Sequence, residues 1–381
     1  MRVLAIERRV RRRYLFKKRW KRAAVAILDG LGMVGVSLRR IFKRLPPFNP
    51  QRILVVRIDS LGDAVLTLPA LEALKTRFPN AQIDFLVSPA VHELYAFLFP
   101  NSKIILFERN WLSGMGSFGG IWGESFSIVK QLKASHYDLG IDFRGDLRTI
   151  LLMSLADIPH RWGREGTGGG FLLTHKLPNP FQKHEILENV ELVSENGSCL
   201  KVEFPPLPHA VRRSEIVQGK KVIIHVGAGY PSKRWSAENF VEVAKRIREK
   251  RLGTPIFIGT EEEGSLLGPY RNRIGAGMVD LTGKTSFKEL LELLADTDLY
   301  IGNDSGPAHL AALLDRKIVL IFSGTNDFKR WAPWSSKLQL VHHPVPCSPC
   351  EERVCPLERQ ICLEEIPVEE VFCAVEKALS N

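Results

Sequence analysis

The sequence predicts an α/β protein built from two open, parallel-stranded domains. Short apolar runs rich in β-branched residues alternate with stretches of helical periodicity. The alternation stops at a proline-rich break, Phe204-Pro-Pro-Leu-Pro208, and then starts again. The strand runs are apolar on both faces, as strands covered on both sides by helices must be. No short-period repeat occurs, which excludes a solenoid. A length of 381 residues gives each domain enough chain for its own core.

The net charge of +11 is concentrated at the amino end. Residues 1–44 hold 15 Lys or Arg against Glu7 and Asp29, leaving 38 basic and 40 acidic residues in the remainder. A near-neutral body gives nucleic acid no support as a partner. Inside the basic stretch, Ala23 to Leu38 is mostly apolar, with Trp20 just ahead. That segment is shorter than the ~20 residues that span a bilayer. Basic flanks beside a short apolar stretch predict association with an anionic membrane surface, each basic residue near it adding about 1 kcal/mol. Arg12-Arg13 is loosely like a twin-arginine signal. Asp29 inside the apolar run, and Arg39-Arg40 beyond it, argue against cleavage. The expected location is therefore cytoplasmic, on the inner face of the membrane.

Leu45-Pro-Pro-Phe-Asn-Pro50 is a stiff break, so residues 1–48 are read as an extension, 49–203 as the first domain and 204–381 as the second. In the first domain, strands are expected at 53–58, 83–87, 104–107 and 139–143. A helix is expected from Asp63 to Phe78 and others near 90–98, 120–134, 146–156 and 185–196. Residues 163–170 read as a glycine-rich loop, which without a Lys-Ser/Thr ending is not a P-loop. In the second domain, strands at 221–226, 255–259, 278–281, 298–302 and 317–322 alternate with helices at 236–251, 262–273 and 286–295 and one after Asp304. A last helix covers 367–379.

The most informative stretch is Tyr300-Ile-Gly-Asn-Asp-Ser-Gly-Pro-Ala-His309. A buried strand ends in a turn at Gly302 and Asn303. Asp304 or Ser305 can cap the following helix, and Pro307 sits in its first turn, where a missing N–H costs nothing. Amides and the positive end of the helix dipole then face outward, a ready site for a phosphate or diphosphate. Residues 57–65, Arg57-Ile-Asp-Ser-Leu-Gly-Asp-Ala-Val, put Asp63 at the start of a helix, as a cap or as a general base for an attacking hydroxyl. Gly227 and Gly229 allow close backbone approach to a ligand, and Lys233 and Arg234 can neutralise a diphosphate. Glu261, Glu262 and Glu263 follow another strand, where a carboxylate can bind a ribose.

Taken together, Arg57-x-x-x-Leu-Gly-Asp63, Leu68-Pro-Ala-Leu71, Lys233-x-Trp235 and Gly302-Asn-Asp-Ser-Gly-Pro-Ala-His309 resemble the lipopolysaccharide heptosyltransferases, glycosyltransferase family 9. The resemblance spans 51–381. It implies two Rossmann-like domains facing across a cleft (GT-B), an ADP-heptose donor, a lipid-linked core oligosaccharide acceptor, and inversion without a metal. It implies Asp63 as catalytic base and Lys233 on the donor diphosphate, beside the donor-side candidates Arg234 and Gly227 read from the residues above. It further implies Glu261 on the ribose, and Asp304, Ser305, Gly306 and His309 holding phosphate and sugar. Arg57, Asp142 and Arg144 fall on the acceptor side, with Arg144 standing where the family usually has Gln. Another nucleotide sugar or glycan acceptor on the same fold, and a non-catalytic nucleotide-sugar or lipid-binding protein, are the alternatives.

The leaving diphosphate is a weak base, so positive charge and aligned amides suffice to stabilise it and no cofactor is required. Four of the six cysteines fall close together, Cys347, Cys350, Cys355 and Cys362, a candidate set for structural zinc with one spacing longer than in common zinc motifs. Cys199 and Cys373 read as isolated buried thiols.

Overall fold

The computed structural model describes residues 45–107, 118–177, 183–194, 201–207, 219–275 and 277–380. It also describes Trp20, Ala23, 25–27, Asp29, Gly30, Gly32 and Met33. Contacts divide the chain into two units, one of Met1–Ser60 with Thr67–Pro205, the other of Leu61–Leu66 with Pro206–Asn381. The short segment carrying Asp63 thus groups with the second unit.

The first unit holds β1 (Arg52–Arg57), β2 (Gln82–Val87), β3 (Ile104–Leu106), β4 (Leu139–Asp142), β5 (His160–Arg164) and β6 (His175–Leu177). They form one parallel sheet in the order β3-β2-β1-β4-β5-β6. The second holds β7 (Lys221–His225), β8 (Thr254–Ile258), β9 (Val279–Asp280), β10 (Leu299–Asn303), β11 (Ile318–Ile321) and β12 (Leu338–Val341). Its sheet, β12-β11-β10-β7-β8-β9, repeats the same winding and is also parallel. Each sheet therefore reverses direction between its first and fourth strands, β1/β4 and β7/β10. In open α/β sheets the ligand crevice lies outside the carboxyl ends of those two strands.

Among the described residues from 45 on, the α-helices are α1 (Leu61–Val65), α2 (Leu68–Arg77), α3 (Pro89–Leu98), α4 (Phe118–Ala134), α5 (Leu147–Leu155), α6 (Glu185–Val193), α7 (Ala237–Glu249), α8 (Glu261–Gly264), α9 (Phe287–Ala295), α10 (Gly306–Leu313), α11 (Phe328–Trp331), α12 (Ile361–Glu364) and α13 (Val368–Ser380). The helix expected over 63–78 is two helices. Pro69, at the start of α2, has no N–H to give to Val65, and its ring crowds that carbonyl, so the chain breaks at Leu66 and Thr67. The helix expected at 262–273 is one α turn, α8, followed by 3₁₀ structure from Ser265 to Arg273 with Pro269 inside it.

Three strands escape the apolar-run reading. β5 is His-Arg-Trp-Gly-Arg, yet it is largely buried, because Arg164 is neutralised inside the unit by Glu185 at 2.9 Å and Glu188 at 3.4 Å on α6. Asn189 accepts a further bond from it. β6 and the edge strand β12 are short and only half-buried, so their sequences carry little pattern. The glycine-rich loop begins inside β5, and its Gly166 and Gly168–Gly170 are mostly buried.

The cores are separate. One gathers Leu54, Val56, Ile105, Leu132, Ile150 and Met153. The other gathers Ile224, Phe240, Ile301, Ile321, Phe372 and Val375, where α7 and α13 cover one face of the second sheet. Each fully buried Phe or Ile contributes about 1.5–3 kcal/mol.

Much of the amino-terminal extension lies outside the described residues. The helical residues that are described pack on the first unit: Asp29, 2% exposed, accepts the Gly169 N–H at 2.8 Å, and Gly168 leaves room for Val25. Trp20 (66% exposed) and Ile27 (63%) lie on the other side.

Candidate functional site

In the second unit, β10 delivers Asn303 and Asp304 to the crevice edge and α10 begins at Gly306. Asn303 is fully buried and fastens three segments. Its amide donates to Val226 and Gly227 carbonyls (3.0 and 3.2 Å), and its oxygen accepts the Trp235 N–H at 3.0 Å. Asp304, 6% exposed, accepts Lys233 Nζ at 2.6 Å and the Asn326 amide at 3.2 Å. Lys233 is thus drawn over the helix start by a buried carboxylate. Arg234 instead donates Nε–H to the Ala228 carbonyl at 3.1 Å and shapes the loop.

Ser305 stands at the N-cap position of α10, but its side chain makes no capping bond, and neither does Asp304. The Ser305 hydroxyl lies 3.1 Å from His225 Nδ1, at the end of β7. The opposite ring nitrogen, Nε2, meets Glu263 at 3.2 Å. Burial alone pushes the Glu263 carboxyl up, but the hydrogen bond and charge of His225, with bonds from Thr260, outweigh it and hold it at about 2. Because that value lies below the ordinary 4.5, the carboxylate adds stability above pH 4.5 that is lost as pH falls through about 2. The size is about 2–3 kcal/mol. Equilibrium denaturation of Glu263→Gln against the parent should show that margin at about pH 5, shrinking below pH 4.5.

Of the three glutamates, only Glu263 turns inward; Glu261, expected on a ribose, is exposed with Glu262 at the start of α8. A methyl on Gly227 would overlap the Glu263 carboxylate, so this glycine makes room for that side chain.

The segment bearing Asp63 lies directly on α10. A Cβ on Gly62 would stand 2.8 Å from the His309 ring, and one on Gly306 would stand 2.9 Å from Leu61 Cβ. Two glycines therefore let α1 and α10 pack closely, Gly62 against the His309 ring and Gly306 against the Leu61 side chain. His309, 5% exposed, is buried beneath this contact. Asp63 is half-buried in the first turn of α1.

In the first unit, the β1/β4 crevice edge carries Arg57, Asp142 and Arg144. Asp142 is fully buried and accepts from the Arg144 N–H (2.9 Å), the Asp146 N–H (3.0 Å) and the Thr149 hydroxyl (2.8 Å). Burial pushes its carboxyl up to about 6 against those bonds. It fastens the loop through these three bonds. Sequence reasoning missed Asp59. It pairs with Arg57 at 3.2 Å and with Arg144, holding both guanidiniums at the crevice edge. Its only signal was the Arg57-x-Asp59 spacing.

Cys347, Cys350, Cys355 and Cys362 are thiols, and Cys350 and Cys362 lie close to Gly324. Among the described residues no group of three or more His, Cys, Asp or Glu is arranged to hold a metal ion. Cys373 is exposed on α13 rather than buried, and Cys199 lies outside the described residues. A cavity of about 430 Å³, lined by Phe48, Arg77, His160, Trp162 and His175, opens at the amino ends of β5 and β6, away from either crevice.

Residues 125–361 match the sequence profile of glycosyltransferase family 9 (heptosyltransferase). The chain belongs to glycosyltransferase family 9. This family-9 enzyme is 29% identical to lipooligosaccharide heptosyltransferase 2 of Campylobacter jejuni over 331 residues, which cover 84% of this chain and 96% of that one. Among solved structures, a family-9 glycosyltransferase of Veillonella parvula superposes with a TM-score of 0.73 at 18% identity, covering 87% of this chain and 97% of that one. The ADP-heptose LPS heptosyltransferase II of Escherichia coli gives 0.69 at 18% identity, covering 86% and 98%. The fold is that of these GT-B glycosyltransferases, and the motifs at 57–63, 233–235 and 302–309 pointed to the right family.

Proposed function

We propose that this enzyme transfers a heptose from ADP-heptose to a lipid-linked core oligosaccharide of lipopolysaccharide, inverting the anomeric carbon. The observation that carries the reading is the seating of the Asp63 helix against the amino end of α10, beside the Lys233–Asp304 pair. An acid that accepts a proton, a cation, and the positive end of a helix dipole then serve one reaction. The names of the E. coli and C. jejuni relatives support the donor and the acceptor class.

In the proposed reaction the donor diphosphate binds at the α10 amino end, with Lys233 and Ser305 on its oxygens. Asp63 takes the proton of the acceptor hydroxyl as that oxygen attacks the anomeric carbon from the face opposite the diphosphate. ADP leaves with the bonding pair, and Lys233 and the helix dipole stabilise the charge it gains. Arg57 and Arg144, gripped by Asp59, are the acceptor-side contacts. No step requires a metal. The test is a donor panel in which ADP-, UDP- and GDP-sugars are incubated with enzyme and core-lipid acceptor and free nucleotide is measured. Acceptor-dependent release from ADP-heptose alone is expected, and equal or greater release from another donor would replace this reading.

The close approach of α1 to α10 gives a second expectation. Gly62→Ala should lower kcat roughly 100-fold with the fold retained by circular dichroism, because the added methyl pushes Asp63 away from α10 by an amount of the order of 1 Å.

The amino-terminal segment is the proposed membrane contact. Asp29 ties one side of the helix to the body while Trp20 and Ile27 stay outward, among 15 basic residues in positions 1–44. No helix among the described residues is long and apolar enough to cross a membrane. Trp20→Glu with Ile27→Glu is expected to weaken co-sedimentation with phosphatidylglycerol vesicles at least 10-fold. Unchanged binding would exclude this segment as the contact.

A further inference from the structure

At the β7/β10 crevice edge the mechanism leaves the buried His225 unused. It is 3% exposed and lies opposite Gly302 in the strand register. Its ring bridges Glu263 at Nε2 (3.2 Å) and Ser305 at Nδ1 (3.1 Å). Ionised Glu263 offers only acceptors, so Nε2 must carry a hydrogen whatever the charge of the ring. The state of Nδ1 then decides what Ser305 can do. With a neutral ring, Nδ1 accepts and the Ser305 hydroxyl hydrogen is spent on it. With a cationic ring, Nδ1–H donates to Ser305 Oγ, and the hydroxyl hydrogen is released for an outside acceptor.

A diphosphate likewise brings only acceptors. We propose that anion binding at the α10 amino end is coupled to uptake of one proton by His225, which turns Ser305 into a hydrogen-bond donor to phosphate. The proposal rests on the donor site described above. The proton comes from solvent and ends on Nδ1, no covalent bond changes, and Glu263 remains a carboxylate bound to Nε2–H. His225 is a positioning residue, since it acts through Ser305.

The charged and titratable groups around the pair are consistent with this exchange. Glu263 faces the ring from α8. Tyr300 OH on β10 lies 3.5 Å from Ser305 Oγ, and burial pushes that phenol up, so it stays neutral. Asp304, the residue before Ser305, is paired with Lys233, so these two charges offset one another. The capping behaviour agrees as well. Ser305 occupies an N-cap position yet turns to a histidine instead of the helix amides, leaving the α10 amino end for a ligand.

The test is calorimetric titration of the full-length enzyme with ADP at pH 8, repeated in buffers of different ionisation enthalpy. At that pH ADP is fully ionised and cannot itself take up a proton. The slope of observed heat against buffer enthalpy counts protons taken up. A slope between 0.3 and 1 is expected for the parent, falling to zero in His225→Asn, which keeps a hydrogen-bonding group near Nδ1 but cannot become a cation. His225→Phe should also show no slope, with Kd raised about 10-fold. A zero slope in the parent with ADP bound, or an equal slope in His225→Asn, would overturn the proposal. ADP binding that Lys233→Ala leaves unchanged, or no ADP binding at all, would instead overturn the donor site beneath it. Kinetics add a second readout: His225→Asn should raise KM for the donor more at pH 6.5 than at pH 8.5, which a merely structural role would not do.

Discussion

Asp63→Asn is expected to lower kcat for transfer by about 10³-fold while ADP binds with unchanged affinity. The side chain keeps its size and position on α1, so the helix still seats on α10 through Gly62 and Gly306. What is removed is the negative charge and with it the ability to accept a proton. If Asp63 were just a helix cap, the amide would cap almost as well and the rate would scarcely change. Rate and affinity therefore separate the two roles, the first from steady-state turnover and the second from ADP titration.

Lys233→Ala is expected to have two effects that a second substitution separates. Lys233 and Asp304 are 13% and 6% exposed, so removing the cation leaves a buried carboxylate with only the Asn326 amide. Breaking a buried pair in this way costs about 3–5 kcal/mol. In the proposed reaction it also removes a charge-assisted contact to the donor diphosphate, so the Kd for ADP should rise roughly 100-fold. Lys233→Ala combined with Asp304→Asn should recover most of the lost stability in denaturant titrations, because no unpaired charge remains. It should not recover ADP binding. Recovery of both would make Lys233 a structural residue.

The sequence made these residues visible where local chemistry is strong. Gly302 through His309 combine a strand end, a turn and a proline at a helix start, and Asp63 follows a glycine after a buried run. The parallel α/β character of both units was legible for the same reason, since apolar runs such as 53–58 and 221–226 have few alternatives. What stayed hidden is what only tertiary contacts decide. β5 was lost because Arg164 is buried in company with Glu185 and Glu188, which no periodicity reports. His225 was absorbed into an apolar run, and Glu263 could not be told from Glu261 and Glu262 until the fold turned it toward His225. That Gly227 makes room for Glu263 was hidden because this neighbour is distant in sequence. Asp142 carried a motif but is consumed by its own loop.

The most direct test of the central claim, single displacement by a hydroxyl that Asp63 deprotonates, is the anomeric configuration of the product. It is read by NMR from the one-bond carbon–hydrogen coupling of the newly attached heptose, made by purified enzyme from ADP-heptose of known configuration. Inversion, with no product from Asp63→Asn over the same interval, is the expected result. Retention of configuration, or comparable product from Asp63→Asn, would contradict it.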